Sequence, residues 1–214
     1  MKNLGGSPES AEDGAGRRRG RPRAFDRDAA LAQATRLFWE KGYEATSIAD
    51  LTAAMGIGAP SLYAAFGCKE ALYREAIDHY RATYDEVGWG GFRSGETARD
   101  AVAALLMDSA ASLTGSLADM PRGCMVTLST AGDEGHPELG EMVRAARLAG
   151  FERLEARLHQ GVADGELPAD ADVRALARFV QTVQSGMSIL ARDGATRGDL
   201  EAVAQVALRA FPAG

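Results

Sequence analysis

The chain has 214 residues, of which 46% are hydrophobic and 25% are charged. This length allows one or two domains, and the composition supports a buried core, which excludes a disordered chain. The net charge of -6 would argue against a nucleic-acid-binding protein if the charges were spread evenly. They are not, because residues 1–84 hold 12 basic and 11 acidic side chains (net +1), whereas residues 85–214 hold 12 and 19 (net -7).

The N-terminal segment divides into two parts. Residues 1–16 are rich in Gly, Ser, Glu and Asp, and they are predicted to form a disordered tail. Residues 17–24 form a basic arm, in which one glycine and one proline interrupt five arginines. Glycine and proline keep the backbone extended and thin, as a narrow A·T-rich minor groove requires, and the Gly-Arg-Pro centre resembles an AT-hook. The candidate DNA contacts in the arm are Arg19, Arg21 and Arg23.

Residues 25–70 have the pattern of a small helical domain. Ser47 with Asp50 three residues later is a capping box, and Gly56 marks the end of the helix that follows. Pro60 suits the first turn of the next helix. The predicted helices cover residues 26–41, 48–55 and 59–66, and a fourth begins near Lys69. Two short helices joined by a glycine-containing turn are a helix-turn-helix unit.

The second helix of such a unit lies in the major groove of DNA, so it must be apolar on one side and exposed on the other. Serine and tyrosine hydroxyls can donate to phosphates or base edges, and alanine and proline can contact thymine methyl groups. A lysine at the start of the following helix would place a charge beside phosphate. The candidate contacts of this kind are Ala59, Pro60, Ser61, Tyr63 and Lys69.

Residues 71–214 are predicted to form a larger helical domain. The stretch 87–96 contains four glycines and is interpreted as the junction between the two domains. Thr97 with Asp100 is a second capping box that begins a helix. Later helices are predicted at 124–130, from 136 to about 161, from 172 onward, and at 200–211. No strand-like alternation or internal repeat occurs, so the fold is predicted to be all-α.

The run 38–72 resembles the DNA-binding domain of the TetR/AcrR-like transcriptional regulators. It shows an aromatic-x-x-x-Gly segment, an Ile-Ala-x-Leu helix, a Gly-Ile turn, Leu-Tyr-x-x-Phe and Lys-Glu-x-Leu at the spacing of that family. The resemblance implies a homodimer, an operator with inverted-repeat half-sites, and a C-terminal domain that binds a small molecule and dimerises. It also implies that five positions contact DNA: Ser47, Pro60, Ser61, Tyr63 and Lys69.

Three positions depart from the family pattern. Gly58 stands where the family often has Ser or Thr as the cap of the second helix, and Ala65 stands where it often has His. Fewer side chains are then left for base readout, so specificity is expected to depend more on the arm and on DNA shape. Cys68 occupies a helix-cap position for which a thiol is poorly suited; a redox-sensitive site and a tolerated surface substitution both remain open.

The C-terminal domain contains apolar and soft side chains that could line an effector cavity, although such residues are equally expected in a plain core. These candidates for effector binding are Trp89, Met107, Cys124, Met125, Phe151 and Phe179. The last two helices are expected to pack against a second copy in a four-helix bundle. The residues predicted for that interface are Phe179, Val183, Met187, Leu190, Val203, Val206 and Phe211.

The two cysteines are far apart, which excludes a disulfide framework and fits a reducing cytoplasm. Cys124, in the segment PRGCMV, resembles a Gly-Cys of some family members that sense electrophiles or metals, but a buried structural thiol is an alternative. The polar residues Asp133, His136, Glu138 and Glu141 are interpreted as a hydrated helix start, so no metal or cofactor is predicted. The longest apolar run, 101–107, is too short for a membrane span.

The resulting hypothesis is a homodimeric repressor that binds double-stranded operator DNA and is released by a small effector. One alternative is an architectural protein that holds A·T-rich DNA mainly by its arm, and another is a redox- or electrophile-sensing repressor that acts through Cys124. An enzyme is not predicted, because the sequence has no glycine-rich phosphate loop, zinc-protease motif or nucleophile elbow.

Overall fold

The computed structural model describes residues 25–117, 120–132 and 135–212. The predicted tail and the basic arm with Arg19, Arg21 and Arg23 lie outside the described residues. Within the described ranges the chain is helical and has no strand, which confirms the all-α prediction. The helices are α1 (Arg27–Lys41), α2 (Ile48–Met55), α3 (Ala59–Phe66), α4 (Lys69–Ser94), α5 (Ala98–Leu113), α6 (Met125–Leu128), α7 (Pro137–Ala163), α8 (Val173–Arg192) and α9 (Arg197–Ala210).

The first three helices form the predicted helix-turn-helix domain. The capping box is present, since the Ser47 hydroxyl accepts the N–H of Asp50 and the Asp50 carboxylate accepts the N–H of Ser47. Gly56 ends α2 in the left-handed conformation, with φ of 66°, which an L side chain rarely adopts. Leu62 and Phe66 are buried, so α3 packs its apolar side against the interior of the domain as predicted.

Helix α4 runs through most of the predicted junction at residues 87–96. The four glycines of residues 87–96 do not end the helix at its middle, because α4 continues to Ser94 and Phe92 is buried in the C-terminal core. The glycine at 91 instead permits close packing: a Cβ there would collide with the Asp108 carboxylate and lie 3.0 Å from the Cβ of Ala104 on α5. Tertiary contact with α5 therefore outweighs the low helix propensity of glycine.

The C-terminal core is built from α5, α7, α8, α9 and the end of α4. Its fully buried side chains include Leu105, Leu106, Leu154, Leu158, Val180 and Leu200. Met187 and Phe211, predicted for the dimer interface, are also buried here (0% and 3% exposed), so they stabilise the protomer itself and are unavailable to a partner. Helix α9 begins at Arg197, earlier than predicted, because Thr196 and Asp199 form a capping box.

The core of the helix-turn-helix domain also extends into the C-terminal domain. Met125, Val126, Leu139 and Val143, from α6 and α7, belong to the same buried cluster as Phe38 of α1. The two predicted domains therefore share a continuous apolar contact, and α4 joins them as one unbroken helix.

Candidate DNA-binding face and ligand cavity

Helix α3 presents the predicted DNA contacts on its outer side. Tyr63 is 48% exposed, Ser61 and Pro60 are also exposed, and Ala59 is half-buried. Gly58 provides no side-chain cap at the start of α3, and the N–H of Ala59, the first helical residue, has no intrahelical partner. The outer side of α3 thus offers two hydroxyls, an apolar surface and a helix N-terminus, and it contains no acidic residue in its first turn.

Lys69 lies at the start of α4, beside α3. Its Nζ is 4.2 Å from the centroid of the Tyr43 ring, so the buried ring fixes the position of the ammonium group. Burial, followed by a hydrogen bond with Glu70, raises the pKa of Tyr43, so this phenol stays neutral. Lys69 is therefore held in one place although it remains partly exposed.

Two further predicted positions act as helix caps. Ser47 is exposed, but its hydroxyl is engaged with Asp50, to which it donates at 2.8 Å. Cys68 is exposed as well, and its Sγ accepts the N–H of Ala71 at 3.4 Å. The thiol expected to be a poor cap is thus used as one, and the hydrogen bond is weak because sulfur is a weak acceptor.

A large cavity of about 860 Å³ lies between α4, α5, α7 and α8. Its volume is within the range of about 300–1,000 Å³ that is typical of small-molecule sites. Trp39 of α1 reaches it as well, so a helix of the DNA-binding domain contributes to the cavity wall.

Three aromatic rings form one wall of the cavity. The Trp39 ring centroid is 4.8 Å from that of Tyr80 and 5.2 Å from that of Tyr84, both in edge-to-face contact. The Tyr80 hydroxyl donates to the Cys124 Sγ at 3.3 Å, and burial raises the pKa of Tyr80 well above its ordinary value. Cys124 itself caps α6, where its Sγ accepts the N–H of Thr127.

The sequence-predicted effector residues separate into two groups. Trp89 and Cys124 line the cavity. The others do not: Met125 and Phe151 are buried in the two cores, Met107 packs against the C-terminal core, and Phe179 is exposed on α8. An effector role for these four side chains would require another site, because apolar helical spacing identifies buried residues but not the neighbours of a cavity.

Most of the polar wall of the cavity was not apparent from the sequence. Five arginines line it: Arg81, Arg144, Arg147, Arg153 and Arg178. Tyr80 and Tyr84 were also detectable only as a stripe of core residues at i, i+4 spacing. The arginines come from α4, α7 and α8, which the sequence separates by up to 97 positions, so no local pattern could have grouped them.

The C-terminus of α1 is tied to the C-terminal domain by hydrogen bonds. The Trp39 indole N–H donates to the carbonyl of Gly123 at 2.8 Å. The Arg192 guanidinium of α8 donates to the carbonyls of Trp39, Glu40 and Arg122 at 2.9, 3.0 and 2.9 Å. The bonds to Trp39 and Glu40 satisfy carbonyls at the end of α1, where helical partners are missing.

A separate apolar groove lies on the outer side of α8 and α9. It is lined by Phe179, Val183, Ala202, Val203, Val206 and Ala207. Val206 is 57% exposed and Leu190 is 45% exposed, which leaves a contiguous apolar surface on one protomer. Four of the seven residues predicted for the dimer interface line this groove, and Leu190 is exposed on α8.

The described residues contain no group of three or more His, Cys, Asp or Glu side chains that could hold a metal ion. Asp133, one of the four polar residues considered for such a site, lies outside the described residues. His136 is 3.8 Å from Glu70 and its ring packs edge-on against Tyr43. Among the described helices, none is both long and apolar enough to cross a membrane.

The fold and the exposed side of α3 define a helix-turn-helix DNA-binding regulator. The family model "Bacterial regulatory proteins, tetR family" matches residues 30–76, and the "Tetracyclin repressor-like, C-terminal domain" model matches residues 98–207. The chain therefore belongs to the TetR family of transcriptional regulators.

Two curated relatives from Escherichia coli (strain K12) are similar over most of the chain. The repressor ComR is 38% identical over 201 residues, covering 91% of this chain and 92% of ComR. The repressor BdcR is 31% identical over 190 residues, covering 88% of this chain and 90% of BdcR. A solved structure of a cysteine mutant of the regulator CifR, in complex with 26-bp double-strand operator DNA, has a TM-score of 0.84 and 43% identity, covering 90% of this chain and all of that one. These comparisons do not favour the architectural or the cysteine-sensor alternative.

Proposed function

We propose that this protein is a homodimeric transcriptional repressor that binds an inverted-repeat operator and is released when a small molecule enters the cavity. The observation that carries the proposal is that α4 links the DNA-binding domain to the cavity. Lys69, beside α3, and Tyr84, in the cavity wall, lie on this one continuous helix. The two similar proteins ComR and BdcR are repressors, which supports the sign of regulation.

The DNA-binding step follows from the exposed side of α3. Ser61 and Tyr63 supply hydroxyl donors, Pro60 and Ala59 supply apolar surface, and Lys69 supplies a positioned charge. We assign these five residues, with Ser47 at the start of α2, to operator contacts. The arm residues Arg19, Arg21 and Arg23 are assigned to the adjacent minor groove on their sequence alone.

The dimer is assigned to the groove on α8 and α9. Apolar patches of this kind on a soluble protein mark interaction surfaces, and a two-fold axis would bring Val203 and Val206 of one protomer against α8 of its partner. Two recognition helices related by such an axis explain an operator with two-fold symmetry. A regulator of this kind acts where the DNA is, in the cytoplasm.

Release by an effector follows from the position of Trp39. Because its side chain lines the cavity while its backbone belongs to α1, a ligand that displaces the ring also displaces the helix-turn-helix domain. A ligand that binds one arrangement of α1 and α4 better than the DNA-bound arrangement would shift the protein away from the operator.

The test is a footprint on the DNA upstream of the protein's own gene, at fixed salt. Tyr63→Phe and Lys69→Ala are each expected to weaken a two-fold symmetric footprint by about tenfold, as the loss of one charge-assisted hydrogen bond would. Arg197→Ala is the control, since Arg197 is an exposed cation on α9 whose side chain bonds Glu201 and no other residue in the described ranges.

Deletion of residues 1–23 tests the arm in the same assay. The deletion is expected to weaken binding and to flatten its dependence on salt, because phosphate-proximal charges are removed. If the footprint survives both helix substitutions and disappears only with the arm, the protein is an A·T-tract binder and the repressor mechanism is wrong.

A further inference from the structure

The charge of the cavity wall is opposite to that of the domain around it. Residues 85–214 carry a net charge of -7, yet among the described residues the cavity is lined by five arginines and a single carboxylate, Asp85. Asp85 is already neutralised, because it accepts from Arg153 at 2.9 Å and from Arg93 at 2.6 Å. Burial raises the pKa of Asp85, but the hydrogen bonds and charges of Arg153 and Arg93 together outweigh burial and lower the pKa, so this carboxylate stays charged and paired at neutral pH.

Three of the five arginines have defined structural partners. Arg147 donates to the carbonyls of Val126 and Thr127, which fixes α6 on α7. Arg153 also packs over the Trp89 ring, at 4.7 Å from its centroid. Arg178 packs over the Phe151 ring at 3.7 Å. These three guanidinium groups already contact other groups of the protein, although their positive charges still act on the cavity.

The other two arginines are different. Arg81, on α4, and Arg144, on α7, line the cavity, and neither makes a hydrogen bond or an ion pair within the described part of the chain. Both are exposed, so they lie at the solvent-accessible side of the cavity. Arg81 lies three residues before Tyr84 on α4, so these two cavity-lining residues occupy neighbouring positions on one side of the helix.

We propose that the cavity binds an organic anion whose flat apolar body packs against the Trp39–Tyr80–Tyr84 wall and whose acidic group is held by Arg81 and Arg144. This inference rests on the proposed function, because it names the chemical class of the effector. Guanidinium groups bind carboxylate, sulfonate and phosphate oxygens through charge-assisted hydrogen bonds, so the acidic group of the ligand is one of these three. A cationic ligand is disfavoured, since the cavity has no unpaired carboxylate among the described residues to receive it.

Two fluorescent probes of nearly the same shape test the proposal. 1-Anilinonaphthalene-8-sulfonate is anionic, and N-phenyl-1-naphthylamine is the same aromatic skeleton without the sulfonate. The readout is the emission of the chain's two tryptophans, Trp39 and Trp89, both of which line the cavity and will be quenched by a probe bound there. The full-length protein is used without DNA, so the result does not depend on operator binding.

The sulfonate is expected to bind the wild type at least about tenfold more tightly than the neutral amine. The double variant Arg81→Gln/Arg144→Gln is expected to lose this preference and to keep its affinity for the neutral amine, which also shows that it is folded. Arg197→Gln, a substitution of an exposed arginine on α9, is the control and should keep the preference.

Equal affinity for the two probes, no quenching by either, or a sulfonate preference that survives in the double variant would each overturn the proposal. The operator footprint, repeated with the sulfonate added, distinguishes failure of this proposal from failure of the proposed function. If the probe binds through Arg81 and Arg144 but no operator footprint exists, the ligand class stands and the repressor mechanism fails. If the footprint exists and the wild type shows no preference for the sulfonate, the DNA-binding part of the proposed function stands and the proposed ligand class is wrong.

Discussion

The indole N–H of Trp39 donates to the carbonyl oxygen of Gly123 at 2.8 Å, across 84 positions of sequence. Trp39 is 5% exposed and both groups are buried, so this hydrogen bond joins the DNA-binding domain to the segment that leads into α6. Gly123 itself has φ of 79° and lies against Ser188 of α8, where a Cβ would be 3.0 Å from the Ser188 carbonyl. The bond therefore connects α1 to a tightly packed part of the C-terminal domain.

Replacement of Trp39 by phenylalanine is expected to destabilise the protein by about 1–3 kcal/mol. Phenylalanine keeps most of the ring contacts but leaves the buried Gly123 carbonyl without its donor. Trp89→Phe is the matched control, because the Trp89 indole donates no hydrogen bond within the described residues and its ring is only partly buried. Denaturant unfolding gives the free energy of unfolding of both variants. Similar losses of stability would show that ring volume, and not the hydrogen bond, determines the effect.

The two glycines at positions 88 and 91 of α4 are expected to respond oppositely to alanine. A Cβ at Gly88 meets nothing within 4 Å, so Gly88→Ala should stabilise the helix by about 0.5–1 kcal/mol. A Cβ at Gly91 would press on Ala104 and Asp108, so Gly91→Ala should destabilise by about 1 kcal/mol, because the overpacking exceeds the gain in propensity. Thermal unfolding of the two single variants, compared with the wild type, tests this prediction. Stabilisation by both substitutions would contradict close packing between α4 and α5.

Acid should weaken the cap of α2 through Asp50. Hydrogen bonds from the Ser47 backbone and hydroxyl, and then from Lys41, lower the pKa of Asp50 from 3.8 to about 2. Because the pKa in the folded state is the lower one, the contribution of Asp50 to stability is present above pH 3.8 and is lost as the pH falls through about 2.

The corresponding measurement compares the wild type with Asp50→Asn across this pH range. The variant should be less stable at pH 6, and the difference should shrink toward pH 2. Asp78→Asn is the control, since Asp78 is exposed on α4 and has no hydrogen-bond or ion-pair partner in the described ranges. A stability difference that stays constant from pH 6 to pH 2 would exclude the carboxylate as its source.

An aspartate at position 206 should separate the proposed dimer. Val206 is 57% exposed on one protomer and lies in the groove of α8 and α9, so Val206→Asp would bury an unpaired charge in the interface. The dimer dissociation constant, measured by sedimentation, is expected to rise at least about a hundredfold. Leu117→Asp, at a loop position that is 53% exposed, should leave the dimer intact. A wild type that sediments as a monomer at micromolar concentration would refute this interface.

Local signals predicted two helix starts well. Ser47 and Thr97 cap the helices that their positions indicated, because a cap depends on residues within one turn. The same reasoning could have detected Thr196 with Asp199, which begins α9. The interior course of α4 was not accessible in this way, since the close approach of Gly91 to Ala104 and Asp108 is a contact between two helices and not a local pattern.

The candidate site shows the same division. The outer side of α3 could be predicted because it follows from the alternation of buried and exposed residues within eight positions. The cavity could not, since Trp39, Tyr80, Arg144 and Gln181 reach it from four different helices. Helical spacing correctly marked Met187 and Phe211 as apolar positions but could not distinguish an internal contact from a contact with a second copy.

The unbroken course of α4 makes it a lever. Fifteen residues separate Lys69 from Tyr84, which corresponds to about 22 Å of helix at about 1.5 Å per residue. A tilt of about 5° at the cavity end would therefore displace Lys69 by about 2 Å, which is enough to take an ammonium group out of hydrogen-bond distance of a phosphate oxygen. A turn at residues 87–96 would have left this lever intact, but its far end would have lacked the anchor that Phe92 provides in the C-terminal core.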